Sequence, residues 1–380
     1  MSQVVICGAK RTPMASFQGE FSTLTAAELG GVALKAALED AKTGSVDELL
    51  MGNVLSAGQG QAPARQAGFA AGLGQDVPAT TLNKMCGSGM KSTMIGYDQL
   101  ALGQANIVAV GGMESMTNAP YLLPNMRSGA RIGHGQTVDH MFLDGLEDAY
   151  DKGRLMGTFA EDCADKYQFT RTAQDDYALK SLSNAIEAQQ LGAFANEIAP
   201  VDYDTKSGHM IVSEDEQPRK ARPDKIPHLK PAFRKDGTVT AANASSISDG
   251  AAALILSTHS YAEDNGLRVR AKIMGHASHA QEPGWFSTAP IPATQKLLQR
   301  LGWTVSDVDL WEVNEAFAVV PMAFMQELAI PRDKMNIHGG ACALGHPIGA
   351  SGARIIVTLL NAMERLDAKR GIAAICIGGG

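Results

Sequence analysis

Apolar positions follow two different periods along the first third of the chain. "VVICGA" (4–9) predicts a strand, and "NIVAVGG" (106–112) is a continuous apolar run that predicts a buried strand of the parallel-sheet kind. From Thr25 to Ala41 the apolar residues recur with helical spacing, with Thr25 at the N-cap and Glu28 three residues later as a capping box. "ELLMGNVL" and "ATTLNKM" predict further strands, and "APARQAGFAAGL" and "GSGMKSTMIGYDQLALG" predict helices. Strands alternating with helices predict α/β layers.

The pattern loosens from Ser115 to about Ala242. This stretch holds "NAPYLLPNMRSGARIGHGQ", the polar helical run "TRTAQDDYALKSLSNAIEAQQ" and the basic, proline-rich "QPRKARPDKIPHLKPAFRK". Long irregular segments in a compact protein are commonly lids or binding loops. "AAALILS" then predicts a buried strand that resumes the first layer. The last third repeats the first third's order. "KIMGHASHA" and "VDLWEVN" read as strands, and "ATQKLLQRLGW" and "AFAVVPMAFMQELA" as helices. "GASGARIIVTLLNAMERL" is a helix, and "GIAAICIGGG" matches "ANIVAVGGME" in type and place. This weak internal duplication predicts two similar α/β halves with a site at their seam, near strand C-termini. The expected boundaries are 1–117 for the first half, resuming at about 243–267, 118–242 for an inserted loop domain, and 268–380 for the second half.

Composition narrows the class. The 380 residues are 45% hydrophobic and 19% charged, ample for a large core. The formal net charge of −7 argues against a nucleic-acid footprint. The five cysteines (Cys7, Cys86, Cys163, Cys342 and Cys376) are odd in number and lack CxxC spacing. A reducing compartment is therefore expected, cytoplasmic or matrix-type. No charged-then-apolar leader opens the chain, and no apolar run reaches the roughly 18 residues of a membrane span.

Three glycine-rich turns carry reactive side chains. Cys86 lies between a predicted strand and a predicted helix that opens with Gly87, Ser88 and Gly89. The N–H groups and dipole of a helix N-terminus lower a thiol pKa, which suits a nucleophile; the alternative is a buried structural cysteine. His346, in "LGHPIG", can serve as base to a thiol, donate to an oxyanion, or simply be hydrogen-bonded in a loop. His338 in "NIHGG" reads as a supporting residue. Cys376 ends an apolar strand and reads as an acid/base thiol or as packed core. Asn314 and Glu315 interrupt an apolar run, where burial demands hydrogen bonds. Asn314 can hold a water or a carbonyl oxygen, or cap the following helix. Met85, Met90 and Met94 read as a core stripe.

Together "NKMCGSGMKS", "GGMESM", "NASSISDGAAA", "NEAFA", "GGACALGHPIGASGAR" and "CIGGG" resemble the thiolase family in order and spacing, from "RTPMASFQGEF" to the last residue. The resemblance is nearest to the short-chain members. It implies a five-layered αβαβα fold of two similar halves with an inserted loop domain. The activity implied is the condensation of two acetyl-CoA to acetoacetyl-CoA plus CoA, or its reverse. Cys86 is then the nucleophile that takes the acyl group, and His346 activates it and donates to the thioester oxygen. Cys376 is the acid/base at the substrate α-carbon. Asn314 holds a water that completes one oxyanion hole with His346, and the backbone N–H groups of Cys86 and Gly378 form a second.

The resemblance assigns coenzyme A contacts to the loop domain and its surroundings. Ser245 corresponds to a pantetheine-contacting serine, and Arg219, Lys220, Arg222 and Lys225 supply basic groups for the CoA phosphates. Phe233, Ala241, Phe286 and Met156 are further substrate or CoA contacts, with Trp285 and Phe286 limiting acyl length. No metal and no resident cofactor is expected, since coenzyme A thioesters are substrate and product. A homotetramer is expected, with no nucleic-acid or membrane partner. The chain departs from the pattern at Leu155, where the short-chain enzymes imply histidine, and between Gln217 and Leu229. Family members also continue by about one more strand past the "CIGGG" motif. A β-ketoacyl synthase-like enzyme would pair its cysteine with two histidines, and here the third position is Cys376. A longer-chain 3-ketoacyl-CoA thiolase is separated by the pocket at Trp285 and Phe286. A non-catalytic, lipid-binding relative is expected to lack Cys86, His346 or Cys376. A zinc site lacks paired ligand spacing.

Overall fold

The computed structural model describes residues 2–206 and 208–380. The first sheet contains β1 (Val4–Arg11), β2 (Glu48–Gly52), β3 (Ala79–Leu82), β4 (Ile107–Ser115), β5 (Ser248–Thr258) and β6 (Ala271–Lys272). Their order across the sheet is β6, β1, β5, β4, β2, β3, with the short strand Ala15–Ser16 also pairing with β5. β2 runs parallel to β3 and β4, whereas β5 is antiparallel to β1 and β4. The sheet is thus mixed, where the apolar run of β4 had suggested a parallel one. Continuous apolarity reports burial on both faces and not strand direction.

Helix α1 (Ala26–Ala41) forms the expected capping box between Thr25 and Glu28 and packs with α2 (Pro63–Ala70) on one face of this sheet. Successive residues of β1 divide between the two faces. Val5 and Cys7 join the α1 side, and Val4, Ile6 and Ala9 join the other. That second face is covered by α3 (Ser88–Ala101) and by a late helix, described below, through Leu100, Ala353, Val357 and Leu360. The loop segment between β4 and β5 carries α4 (Met156–Tyr167), α5 (Arg171–Gln190) and two short hairpins.

The second half contributes α6 (Pro290–Leu301), β7 (Leu310–Val313), α7 (Val319–Leu328), α8 (Ile348–Leu366) and β8 (Gly371–Ala374). β7 and β8 pair in parallel. Their residues pack on α8 through Leu310, Leu359 and Ala362, and on α7 through Trp311, Val320 and Phe324. Five layers result: α1 and α2, the first sheet, α3 and α8, the second sheet, then α6 and α7. Two strands are shorter than the sequence suggests. "KIMGHASHA" pairs only at Ala271–Lys272, on the edge of the first sheet, and Ile375–Gly380 carries no ladder. Apolar sequence permits a strand, but a ladder also needs a neighbour.

Candidate active site

Cys86 and His346 occupy equivalent positions, each one or two residues ahead of a central-layer helix. Cys86 precedes α3, whose N-cap is Gly87, and His346 precedes α8, whose N-cap is Pro347. The two helices approach backbone to backbone at their first turns. A β-carbon on Gly89 would lie 2.7 Å from the Ala353 nitrogen, and one on Gly352 would lie 2.4 Å from the Met90 nitrogen. Ile348 in the first turn of α8 packs with Met85 and Cys86. Gly89 and Gly352 thus let the Cys86 turn pack against Ile348, two residues beyond His346.

The turn that presents Cys86 is stitched to itself. Ser88 Oγ accepts from the Lys84 N–H at 2.8 Å and donates to the Met85 carbonyl at 2.6 Å. Met85 is held in the left-handed region at φ 48°, a conformation unfavourable for a residue with a side chain and frequent where geometry serves function. Met85 belongs to this turn and also packs on the buried cluster around Ile348, while Met90 is buried in α3. Met94 is half-buried beside a cavity of about 750 Å³ that also meets Gly87, Met90, Ile375 and Ile377. None of Cys86, His346, Asn314 and Cys376 lines that cavity.

The thiol of Cys86 reverses one expectation. Its surface is partly open, but protein atoms surround the sulfur, and desolvation raises its pKa to about 11. The backbone N–H groups of Gly378 and of Cys86 itself hydrogen-bond the sulfur and oppose the rise without cancelling it. Burial, which a helix-start motif does not reveal, outweighs the helix N-terminus. Cys376 is buried, and its thiol is raised well above the ordinary range, first by burial and next by its neighbour Cys86. The residues around it place Gly378 beside Met85 and Met156.

His346 is buried, and burial, with a contribution from Arg354, lowers its pKa to about 3. Its backbone N–H donates to the Ser246 carbonyl and the Ser248 hydroxyl, both at 3.2 Å. Ring Nδ1 lies 2.5 Å from Ser351 Oγ, while Nε2 is buried without a protein partner. Ser351 donates its own proton to the Pro347 carbonyl at 2.9 Å, so its oxygen accepts from Nδ1–H. The neutral ring therefore carries its proton on Nδ1 and leaves a lone pair on Nε2.

Asn314 is fully buried, and neither its Oδ1 nor its Nδ2 meets a protein partner. A capping role is excluded, because α7 begins at Val319 with Ala318 as its N-cap. An unpaired buried amide is costly until a water or ligand completes it. Ser245 lies alongside, its N–H donating to the Ala316 carbonyl at 2.9 Å.

Other expected residues fall into three groups. Phe286 is buried edge-on to Phe159 and Phe317, with ring centroids 6.4 Å apart in both pairs, and Phe233 meets Phe317 at 6.0 Å. These rings share a cluster with Cys376 and Met156, while Trp285 is partly exposed under the Lys166 ammonium. Arg219 is engaged by Glu20 at 2.8 Å and Lys220 by Glu216, whereas Arg222, Lys225 and Ala241 are exposed. Arg222 and Lys225 form no ion pair among the described residues. His338 stands edge-on to Phe194 at 5.9 Å, a packing role. Leu155 is the N-cap of α4, one residue before Met156.

Two residues of the site escaped sequence reasoning. Ser351 sets the His346 tautomer. Glu114 is a buried carboxylate that accepts from Asn53 Nδ2 (2.7 Å), Val54 N (3.0 Å), Leu55 N (3.1 Å) and Gly349 N (2.8 Å). It ties the end of β4 to the start of α8, and burial raises its pKa to about 7. An acidic residue closing a wholly apolar strand was the available signal. Among the described residues, no cluster of histidine, cysteine and carboxylate side chains could hold a metal.

The chain has counterparts among known proteins. Residues 4–260 match the thiolase N-terminal domain, and residues 267–380 match the thiolase C-terminal domain. The chain is 49% identical to acetyl-CoA acetyltransferase 2 of Arabidopsis thaliana, over 99% of its own length and 94% of the relative's. It is 47% identical to a probable acetyl-CoA acetyltransferase of Dictyostelium discoideum, over 100% and 92% of the two lengths. The crystal structure of Acat5 thiolase from Ascaris suum in complex with coenzyme A superposes with a TM-score of 0.93 at 41% identity, covering 100% of this chain and 97% of that one. With family matches along both halves, the chain belongs to the thiolase family.

Proposed function

We propose that the protein is an acetyl-CoA C-acetyltransferase. It condenses two acetyl-CoA to acetoacetyl-CoA plus CoA, or runs the reverse thiolysis, through an acetyl-Cys86 intermediate. The observation that carries this reading is the unpartnered Nε2 of His346 at the helix junction that also presents Cys86. Full-length likeness to acetyl-CoA acetyltransferases supports it.

Each group has a distinct task. With its pKa at about 11, the Cys86 thiol is protonated at neutral pH and needs a base. Because the ring's pKa is lowered to about 3, Nε2 of His346 takes that proton only as the sulfur attacks the thioester carbonyl, in one concerted step. Coenzyme A leaves with the proton of Cys376, and the acetyl group stays on Cys86. The Cys376 thiolate then removes a proton from the methyl of the second acetyl-CoA. A thiol raised well above its usual range gives a strong thiolate base, as a weak carbon acid requires. The enolate attacks acetyl-Cys86, and the departing Cys86 thiolate regains its proton from His346. Acyl transfer through sulfur keeps the thioester's energy, so both directions stay accessible.

The developing oxyanions need fixed donors, each worth roughly 10²–10³ in rate. Protonated Nε2 and a water on Asn314 serve the thioester oxygen. The backbone N–H groups of Cys86 and Gly378 serve the oxygen of acetyl-Cys86. Coenzyme A thioesters are substrate and product, so no resident cofactor is required. The buried Phe286 favours short acyl chains over the longer chains of a 3-ketoacyl-CoA thiolase.

We also propose a cytoplasmic homotetramer. Tyr121, Leu123, Met126 and Ile132 in the inserted segment expose large apolar side chains, which suits contact with further copies. No helix of the described residues is long and apolar enough to cross a membrane. The first test is intact-protein mass spectrometry after brief mixing with acetyl-CoA, followed by peptide mapping. An acetyl adduct on Cys86, lost on adding CoA, supports the reading. No adduct on folded protein would return the non-catalytic lipid-binding reading to the front.

A further inference from the structure

Glu315 is fully buried beside Asn314, and its carboxylate gathers four donors from three parts of the chain. Oε1 accepts from Tyr177 Oη at 2.9 Å and Asn336 Nδ2 at 2.8 Å. Oε2 accepts from Ser181 Oγ at 2.7 Å and the Cys342 N–H at 3.1 Å. Tyr177 and Ser181 lie on α5 of the inserted segment. Cys342 lies in the turn that leads to His346.

The surroundings are built to this carboxylate. Ser181 Oγ also accepts from the Gly340 N–H at 3.0 Å, and a β-carbon at Gly340 would lie 2.3 Å from the Glu315 carboxyl carbon. Asn336, in the left-handed region at φ 45°, pairs with both backbone groups of Val313 at 2.8 Å while donating to Glu315. Asn314 itself donates its backbone N–H to the Ala374 carbonyl at 3.0 Å. The residues before and after Asn314 are therefore clamped, and its own backbone is tied to the second sheet. Its side chain alone is left unpartnered.

The geometry points to Glu315 as a positioning residue: it fixes Asn314 and the 340–346 turn, and so aligns both groups of the oxyanion pair. This rests on the roles proposed above for Asn314 and His346. Glu315 touches no reacting atom and acts through its neighbours. A glutamine at 315 keeps the volume but turns an NH2 toward donors, leaving at least one of them unpaired. A displacement of about 1 Å at a reacting group can cost roughly 100-fold in rate.

The test measures kcat and KM for thiolysis of acetoacetyl-CoA in wild type, Glu315→Gln, Asn314→Ala and the double variant. Glu315→Gln is expected to lower kcat by roughly 10- to 100-fold with KM changed less than about threefold. In the Asn314→Ala background the same replacement is expected to cost less than about threefold, because the group it positions is already gone. Losses that multiply in the double variant would overturn the inference. Should Glu315→Gln not fold, Ser181→Ala and Tyr177→Phe each remove one donor from outside the 314–346 region. Each is expected to lower kcat by about threefold to tenfold with the same non-additivity, and full activity in both would also overturn it. A wild type that forms no acetyl-Cys86 would overturn the functional reading, and this inference with it.

Discussion

Ser351 accepts a hydrogen bond from His346 Nδ1 at 2.5 Å while its own proton goes to the Pro347 carbonyl. This pair fixes which imidazole nitrogen is free to act as a base. Ser351→Ala removes the acceptor and lets the proton move to Nε2. We expect kcat to fall about tenfold and alkylation of Cys86 by iodoacetamide to slow in proportion. Unchanged alkylation would show that Ser351 does not set the tautomer.

The closeness of α3 and α8 is a second point of control. A β-carbon at Gly352 would meet the Met90 nitrogen at 2.4 Å, which backbone cannot yield without moving a helix. Gly352→Ala should destabilise the fold by about 1–3 kcal/mol and lower kcat by roughly 100-fold. Gly44→Ala, where nothing lies within 4 Å, should change neither. Thermal unfolding and steady-state kinetics on both variants check this. A Gly352→Ala enzyme with full kcat would mean that the helix spacing does not set the Cys86–His346 geometry.

The features legible in the sequence are those encoded locally. Thr25 and Glu28 form their capping box within four residues, and the apolar runs at 4–9, 107–112 and 251–257 marked buried strands. Strand direction was not legible, because β5 joins its neighbours from far along the chain. The same holds within the site. Cys86 and His346 stood out through their turns, but the sign of the Cys86 shift depends on surrounding atoms that no motif displays. Glu114 meets Gly349 across 235 positions, so its bridging role arises only on folding. Arg219 and Lys220 show the reverse. Their sequence suggested free phosphate ligands, and folding supplied each with a carboxylate partner.

The lowered pKa of His346 makes stability depend on acidity. The unfolded chain takes up a proton near 6.5, whereas the buried ring resists it down to about 3. The unfolded state therefore binds more protons in that window, and stability falls as pH drops from 6.5 toward 3. At pH 5 the contribution is about 2 kcal/mol, at 1.36 kcal/mol per unit over the span from 6.5. His338, lowered to about 4 by burial, acts in the same direction. Urea unfolding at pH 7 and pH 5 should show His346→Asn losing about 2 kcal/mol less than wild type between the two. Equal losses would mean that His346 is protonated in the folded protein.

Phe286 packs in the same buried cluster as Cys376. It is buried between the edges of Phe159 and Phe317, so no side chain has to move aside for its ring to fill that space. Phe286→Leu shortens the barrier at a cost in stability of about 1–2 kcal/mol. One methylene in an apolar pocket discriminates by roughly 10- to 200-fold. The ratio of kcat/KM for 3-ketohexanoyl-CoA over acetoacetyl-CoA should therefore rise about tenfold, with acetyl-Cys86 still forming. A rise would place the acyl chain against Phe286. An unchanged ratio with intact folding would place it elsewhere, and would remove the physical ground for short-chain preference.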